Sequence, residues 1–256
     1  MMGTAFITGA TSGIGKAIAL RLARERYGLI LTGRRHERLE ALKKEIELAC
    51  ETKVHTLCFD VRIYDQVEKA FNALPDEFQP IDVLVNNAGL AAGLDPIHTG
   101  SLNDWEQMID TNIKGLLYVT RVVSPGMVAR QSGHIVNIGS IAGKTVYPNG
   151  AVYCATKHAV KALSEGMRMD LLPYGIRVTE VCPGAVDTEF SLVRFKGDQQ
   201  RADKVYQGFT PLVAADIAET VYFAVSQPPH VNIQDVLIMP TAQADVTMIH
   251  RKQPFS

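Results

Sequence analysis

A chain of 256 residues, 46% apolar and 21% charged, can bury a sizeable core, about 70–75% of the surface its unfolded form would expose. Its 26 basic and 27 acidic residues leave a net charge of −1, which argues against a general nucleic-acid binder and offers no polybasic handle for an anionic membrane. No stretch approaches the roughly 18–20 uninterrupted apolar residues of a membrane span. The opening MMGTAFITGA reads as a strand and a turn rather than as a secretory signal.

Short β-branched runs alternate with longer helical patterns along the chain. Strands are expected at 5–8, 28–32, 54–59, 81–85, 134–138, 176–182 and 235–239. Several of these runs are apolar on both faces, as parallel strands covered on both sides must be. Helices are expected at 14–26, 38–51, 65–73, 103–131, 151–172 and 214–226. The alternation implies right-handed βαβ crossovers and one α/β domain over 1–256, a doubly wound parallel sheet of about seven strands with helices on both faces. The polar segment 188–210 breaks the rhythm and is expected to form a lid or a small helical insert. The pattern at 151–172 wraps Val152, Val160, Leu163, Met169 and Leu172 around more than one face. Such a helix must be buried nearly all round, against another subunit or under neighbours of its own chain.

Cys50, Cys58, Cys154 and Cys182 are far apart, with no C-x-x-C, and read as buried thiols of a reducing compartment, the cytoplasm by default. The seven histidines are scattered, and His55 with Cys58 lacks a second ligand pair, so no metal is expected.

The first strand runs into Thr8-Gly9-Ala10-Thr11-Ser12-Gly13-Ile14-Gly15 and then a helix. Glycines let a backbone turn sharply and approach a ligand, while free N–H groups at a helix start favour a pyrophosphate. Gly9, Thr11, Ser12, Gly13, Ile14 and Gly15 are thus candidate dinucleotide-binding residues, against the alternative of a tight structural turn. Beyond the second strand, the acid that would hold ribose hydroxyls is replaced by Arg34 and Arg35. Two guanidinium forks suit a 2′-phosphate and so select NADP over NAD. The alternative is a solvated basic helix start paired with Glu37 and Glu40. Asp60 and Val61, closing the third strand, could border an adenine, or Asp60 could merely cap a turn.

The fourth strand ends in Asn86-Asn87-Ala88-Gly89, where Asn87 lies at the general position of ligand crevices in open α/β sheets. The fifth ends at Gly139-Ser140. Tyr153 and Lys157 follow at i and i+4 of a helix, which makes the phenol and the ammonium neighbours. A nearby cation is expected to lower the tyrosine pKa, so that Tyr153 can exchange a proton with an alcohol or carbonyl oxygen while hydride moves to or from a nicotinamide. Ser140 can hold the same oxygen.

Over nearly its whole length the chain resembles the short-chain dehydrogenase/reductase family. The matching motifs are Thr8-Gly9-x-x-x-Gly13-x-Gly15, Asn86-Asn87-Ala88-Gly89, Ser140, Tyr153-x-x-x-Lys157 and Pro183-Gly184. The resemblance implies a Rossmann-like fold and a catalytic tetrad in which Asn112 joins Ser140, Tyr153 and Lys157 and supports a proton-carrying water chain. It further implies that Lys157 holds the nicotinamide ribose, and that Pro183, Gly184, Val186 and Thr188 belong to a segment wrapping the nicotinamide. Thr32–Leu39, Glu189–Asp198, Pro229–Ile233 and Met239-Pro240 resemble, more narrowly, NADP-dependent 3-hydroxy acid dehydrogenases, including those acting on serine and L-allo-threonine. That resemblance implies a homotetramer.

A carboxylated substrate needs a cation in the pocket, and Arg194, on the loop after the nicotinamide-wrapping segment, is the candidate. The alternative is an exposed arginine on a mobile loop. The expected activity is NADP-dependent oxidation of a small 3-hydroxy acid. The other readings are reduction of another carbonyl (a neutral ketone, a sugar or an acyl-carrier thioester) and a non-catalytic NADP sensor.

Overall fold

Strand β1 (Thr4–Ile7) shows why the sheet is covered twice: Ala5 and Ile7 bury into one core and Phe6 into another. The computed structural model describes residues 3–252. In it, β1 pairs in parallel with β2 (Gly28–Gly33) on one side and β4 (Val83–Asn86) on the other. Next to β2 lies β3 (Val54–Cys58), and beyond β4 come β5 (Gly133–Ile138) and β6 (Ile176–Pro183). A two-residue ribbon of β7 (Val186–Asp187) and β8 (Leu212–Val213) brackets the inserted segment. The far edge is β9 (Asp235–Ile238), giving the order β3-β2-β1-β4-β5-β6-β9. All seven expected strands are present, within a residue or two of the sequence reading.

One face is packed by α1 (Gly13–Arg24), through Ile18 and Leu22, and by α2 (His36–Ala49), through Leu39, Leu42 and Ile46. The other carries α3 (Tyr64–Asn72), through Val67. The expected single helix at 103–131 is instead α4 (Leu102–Ile109), a π-helical turn (Asp110–Gly115) and α5 (Leu116–Arg130). Close packing explains part of this: a Cβ on Gly115 would lie 2.7 Å from Val61. Helix α6 (Ala151–Leu171) adds Met167 and Leu171 to the second core, beside Val119, Val123 and Met127 of α5. The polar insert folds into α7 (Phe190–Arg194) and α8 (Gln199–Tyr206), pinned by Ser191 Oγ to Tyr206 at 2.8 Å and by the Tyr206 hydroxyl donating to Val186 O at 2.8 Å. Helix α9 (Ala214–Val225) returns to the first face beside α1.

One alternative falls and one expectation needs correction. Helix α6 is not covered all round by neighbours of its own chain: Met169 is 74% and the following Leu172 76% exposed among the described residues. All four cysteines are free, but only Cys154 and Cys182 are buried. Cys58 is exposed because it ends β3, the edge strand of the sheet.

Candidate active site

The order reverses between β1 and β4, and the crevice of an open α/β sheet forms at such a point. Here the ends of β1, β2, β4, β5 and β6 border a cavity of about 630 Å³. Gly9 (φ +66°) and Gly13 (φ +51°) turn the chain through backbone conformations that side chains disfavour. Gly9, Thr11, Ser12, Gly13 and Ile14 line the cavity. Gly15 does not. A Cβ there would collide with Asn87 Nδ2 and the Gly9 carbonyl, so its role is to seat the start of α1 against the end of β4. The Ser12 side chain makes no cap hydrogen bond, which leaves first-turn N–H groups of α1 free for an anion.

At the second-strand end, Arg34, Arg35, Asp60 and Val61 all line the cavity. Arg35 donates to Thr11 Oγ1 at 2.6 Å, to Ser12 Oγ at 2.8 Å and to Glu189 at 3.2 Å. Arg34 reaches within 3.9 Å of Asp60, and Arg62 grips the same carboxylate at 2.6 Å. Burial pushes the Asp60 pKa up, but the Arg62 contacts outweigh it and hold the group below its ordinary value. The arginines therefore find Asp60 and Glu189, not Glu37 and Glu40.

Asn86 and Asn87 divide their work. Asn86 is buried and donates to Thr120 Oγ1 and Asn137 Oδ1, both at 2.9 Å, within the second layer. Asn87 lines the cavity and ties the glycine turn to β4 by donating to Thr8 O at 2.8 Å.

Ser140, Tyr153 and Lys157 meet in the same cavity. Ser140 Oγ accepts from Ala142 N at 3.1 Å, which orients the hydroxyl. Lys157 Nζ donates to Ile138 O at 2.9 Å. Burial lowers its pKa to about 8, against the upward pull of Cys182 and Glu180. The sequence predicts a lowered phenol pKa for Tyr153, and the structure gives the opposite. Burial pushes it well above the ordinary value, while Ser140 and Arg194 pull only weakly the other way. Desolvation of a phenolate outweighs these charges.

Asn112, on the π-helical turn, is buried outside the cavity lining. Its Oδ1 accepts from Leu90 N at 2.8 Å, and its Nδ2 donates to Leu90 O at 2.8 Å and to Thr156 Oγ1 at 3.0 Å. It stays close to the lysine all the same: a Cβ on Gly89 would lie 3.3 Å from Asn112 Oδ1 and 3.7 Å from Lys157 Nζ.

Pro183, Gly184, Val186 and Thr188 line the same cavity, and α7 places Arg194 there too. Arg194 Nε donates to Gly93 O at 3.1 Å, and the Gly93 N–H donates back to Arg194 O at 3.1 Å. Its guanidinium lies 5.4 Å from the Tyr147 ring centroid and 5.8 Å from that of Tyr153. Sequence reasoning missed Tyr147, whose ring lies against the Arg194 guanidinium, and Phe190, whose ring is 5.8 Å from Tyr153. It also missed Gln243, whose Oε1 accepts from Ala185 N at 2.8 Å and so fixes the wrapping segment. The Val-Tyr-Pro run six residues before Tyr153 was the available signal for Tyr147.

Comparison with known proteins fits this geometry. The NADP-dependent 3-hydroxy acid dehydrogenase YdfG of Salmonella typhi is 50% identical over 247 residues, 96% of this chain and 98% of that protein. The sulfoacetaldehyde reductase of Chromohalobacter salexigens is 48% identical over 240 residues, 93% of this chain and 94% of that protein. Among solved structures, the closed form of a serine dehydrogenase complexed with NADP+ superposes with a TM-score of 0.91 at 46% identity, covering 98% of this chain and 100% of the other. The family profile described as short chain dehydrogenase matches residues 3–198, which hold the glycine turn, Ser140, Tyr153, Lys157 and Arg194. With its motifs gathered at one crevice of a parallel sheet, this chain belongs to the short-chain dehydrogenase family.

Proposed function

We propose that the protein is an NADP-dependent dehydrogenase of small 3-hydroxy acids such as serine, L-allo-threonine or 3-hydroxypropionate, with Tyr153 as general acid and base. The observation that carries this reading is the Arg194 guanidinium 5.8 Å from the Tyr153 ring in one cavity. A substrate anchored on Arg194 by its carboxylate can bring a hydroxyl a few bonds away to the phenol.

The residues fit the dinucleotide. The glycine turn offers backbone without side chains, the start of α1 offers N–H groups, and Arg34 and Arg35 stand where a 2′-phosphate would be read. When bound, NADP accepts or supplies the hydride. Tyr153 Oη carries the proton, giving it to the carbonyl oxygen in reduction and taking it from the hydroxyl in oxidation. A phenol with a raised pKa is fully protonated at neutral pH, which suits the reductive direction. Ser140 hydrogen-bonds the substrate oxygen beside the phenol. Lys157, largely protonated at neutral pH, offsets the negative charge left when Tyr153 gives up its proton. Asn112 braces the backbone at Leu90 against Thr156 of α6. We also read the open apolar face of α6 as a subunit contact of a cytoplasmic homotetramer.

A second reading places a sulfonate where the first has a carboxylate, because a guanidinium fork accepts either oxyanion. The similarity to a sulfoacetaldehyde reductase favours it. NADPH absorbance with serine, L-allo-threonine, 3-hydroxypropionate, 2-hydroxyethanesulfonate and neutral alcohols separates the two. In either case Arg194→Ala is expected to raise KM for the anionic substrates about 10–100-fold and to spare the neutral ones. Equal losses for both would remove Arg194 from substrate recognition.

A further inference from the structure

Beside Gly139, the residue before Ser140, lies a carboxylate fully withdrawn from solvent. Glu180 on β6 is 0% exposed, and neither of its oxygens has a hydrogen-bond partner among the described residues. It abuts the serine strand so closely that a Cβ on Gly139 would collide with its Oε1 and lie 2.9 Å from Cys182 Sγ. The cation that answers it is Lys144, four residues after Ser140. Its Nζ lies 3.6 Å from Glu180 Oε2 and hydrogen-bonds Asp235 on β9.

Between Ser140 and Lys144 runs a single 3-10 turn, Ile141–Gly143, closed by Gly143 N to Ser140 O at 2.9 Å and Lys144 N to Ile141 O at 2.9 Å. On its other side, a Cβ on Gly143 would lie 2.7 Å from the Lys157 carbonyl. The loop that bears Ser140 is therefore held between α6 and the β6–β9 edge. Burial pushes the Glu180 pKa up and Lys144 pulls it back down, so loss of the ammonium would leave a buried carboxylate without its counter-charge, which is strongly disfavoured. Glu180, Cys182 and Asp235 could together offer a metal three donors, but Lys144 already supplies the positive charge at that place.

We infer that Lys144 is a positioning residue for catalysis, its ion pairs to Glu180 and Asp235 holding the turn that sets the Ser140 hydroxyl. This rests on the reading of Ser140 as the group that holds the substrate oxygen.

The test compares Lys144→Met, Lys144→Arg, Lys144→Met/Glu180→Gln and Ser140→Ala with the wild type, by steady-state kinetics and by NADPH fluorescence titration. Loss of the tether is expected to lower kcat about 10-fold or more, since small misplacements of a reacting group are costly. KM and the NADPH Kd are expected to stay within about twofold, because neither depends on that alignment. Lys144→Arg is expected to restore kcat. The double variant strands no buried charge, leaving only the partly exposed Asp235 without the ammonium, and is expected to keep the wild-type Tm while kcat stays low. Wild-type kcat in the double variant, with Ser140→Ala impaired, overturns the tether alone. Wild-type kcat in Ser140→Ala overturns the reading of Ser140 and the tether with it.

Discussion

Glu189 accepts a hydrogen bond from Arg35 at 3.2 Å, joining the end of β2 to the residue that precedes α7. Arg38 holds the same carboxylate at 2.9 Å. Burial pushes the Glu189 pKa up, but the two arginines outweigh it and keep it below the ordinary value. On the proposed reading, a 2′-phosphate would compete with this carboxylate for Arg35. Glu189→Gln is therefore expected to tighten NADPH about 3–10-fold and leave NADH unchanged, whereas Arg35→Ala erases about 10–100-fold of the preference for NADPH. Fluorescence titration with both dinucleotides measures each change. A parallel shift for NADPH and NADH would show that Arg35 reads no phosphate.

Tyr153→Phe keeps the ring that packs on Phe190 and removes only the hydroxyl. Its kcat is expected to fall about 10²–10⁴-fold, the usual contribution of a general acid or base. NADPH affinity is expected to hold. Turnover near the wild-type rate would exclude the phenol from proton transfer.

His134 makes the fold sensitive to acid. Its Nε2 lies 2.7 Å from Thr179 Oγ1, and Thr179 spends its own proton on Ile233 O at 2.6 Å, so the imidazole donates from Nε2. Nδ1 is buried without a partner among the described residues. Burial, assisted by Arg177, lowers the pKa to about 3 from 6.5. An unfolded chain takes up this proton near 6.5 and the native one only near 3, so native stability falls as pH drops across that window, by roughly 5 kcal/mol in all. Urea titrations between pH 7 and pH 4 are expected to show this slope in the wild type and a flatter one in His134→Gln. Identical slopes would mean that His134 is not the sensor.

Two glycine substitutions should act in opposite directions. Gly15→Ala drives a methyl into Asn87 and the Gly9 carbonyl and is expected to cost about 2 kcal/mol or more and to weaken NADPH binding. Gly166, inside α6, has nothing within 4 Å of its would-be Cβ, so Gly166→Ala is expected to stabilise by about 0.5–1 kcal/mol. Thermal melts read both. A lower Tm for Gly166→Ala would mean that another chain packs against that spot.

Much of this was legible in the residues because the signals are local. β-branched runs mark the strands, glycines mark the turn, and the i, i+4 relation brings Tyr153 and Lys157 to one face. What escaped is set by burial and by distant partners. Nothing near Tyr153 in sequence says that desolvation will outweigh the surrounding cations. Nothing near Arg35 names Glu189, 154 positions away. The π-helical turn was hidden because Asp110–Gly115 continues the helical pattern on either side of it, and only packing against Val61 and Leu90 gives it a purpose.

That turn carries one residue more than a regular helix needs. Excising a single position between Asp110 and Gly115 would let α4 and α5 merge into one uninterrupted rod, more regular than before. Asn112 would swing off Leu90, and the brace it sets against α6 would be lost. At this spot the more regular helix would be the poorer brace: the irregularity is what ties α6 to the chain at Leu90.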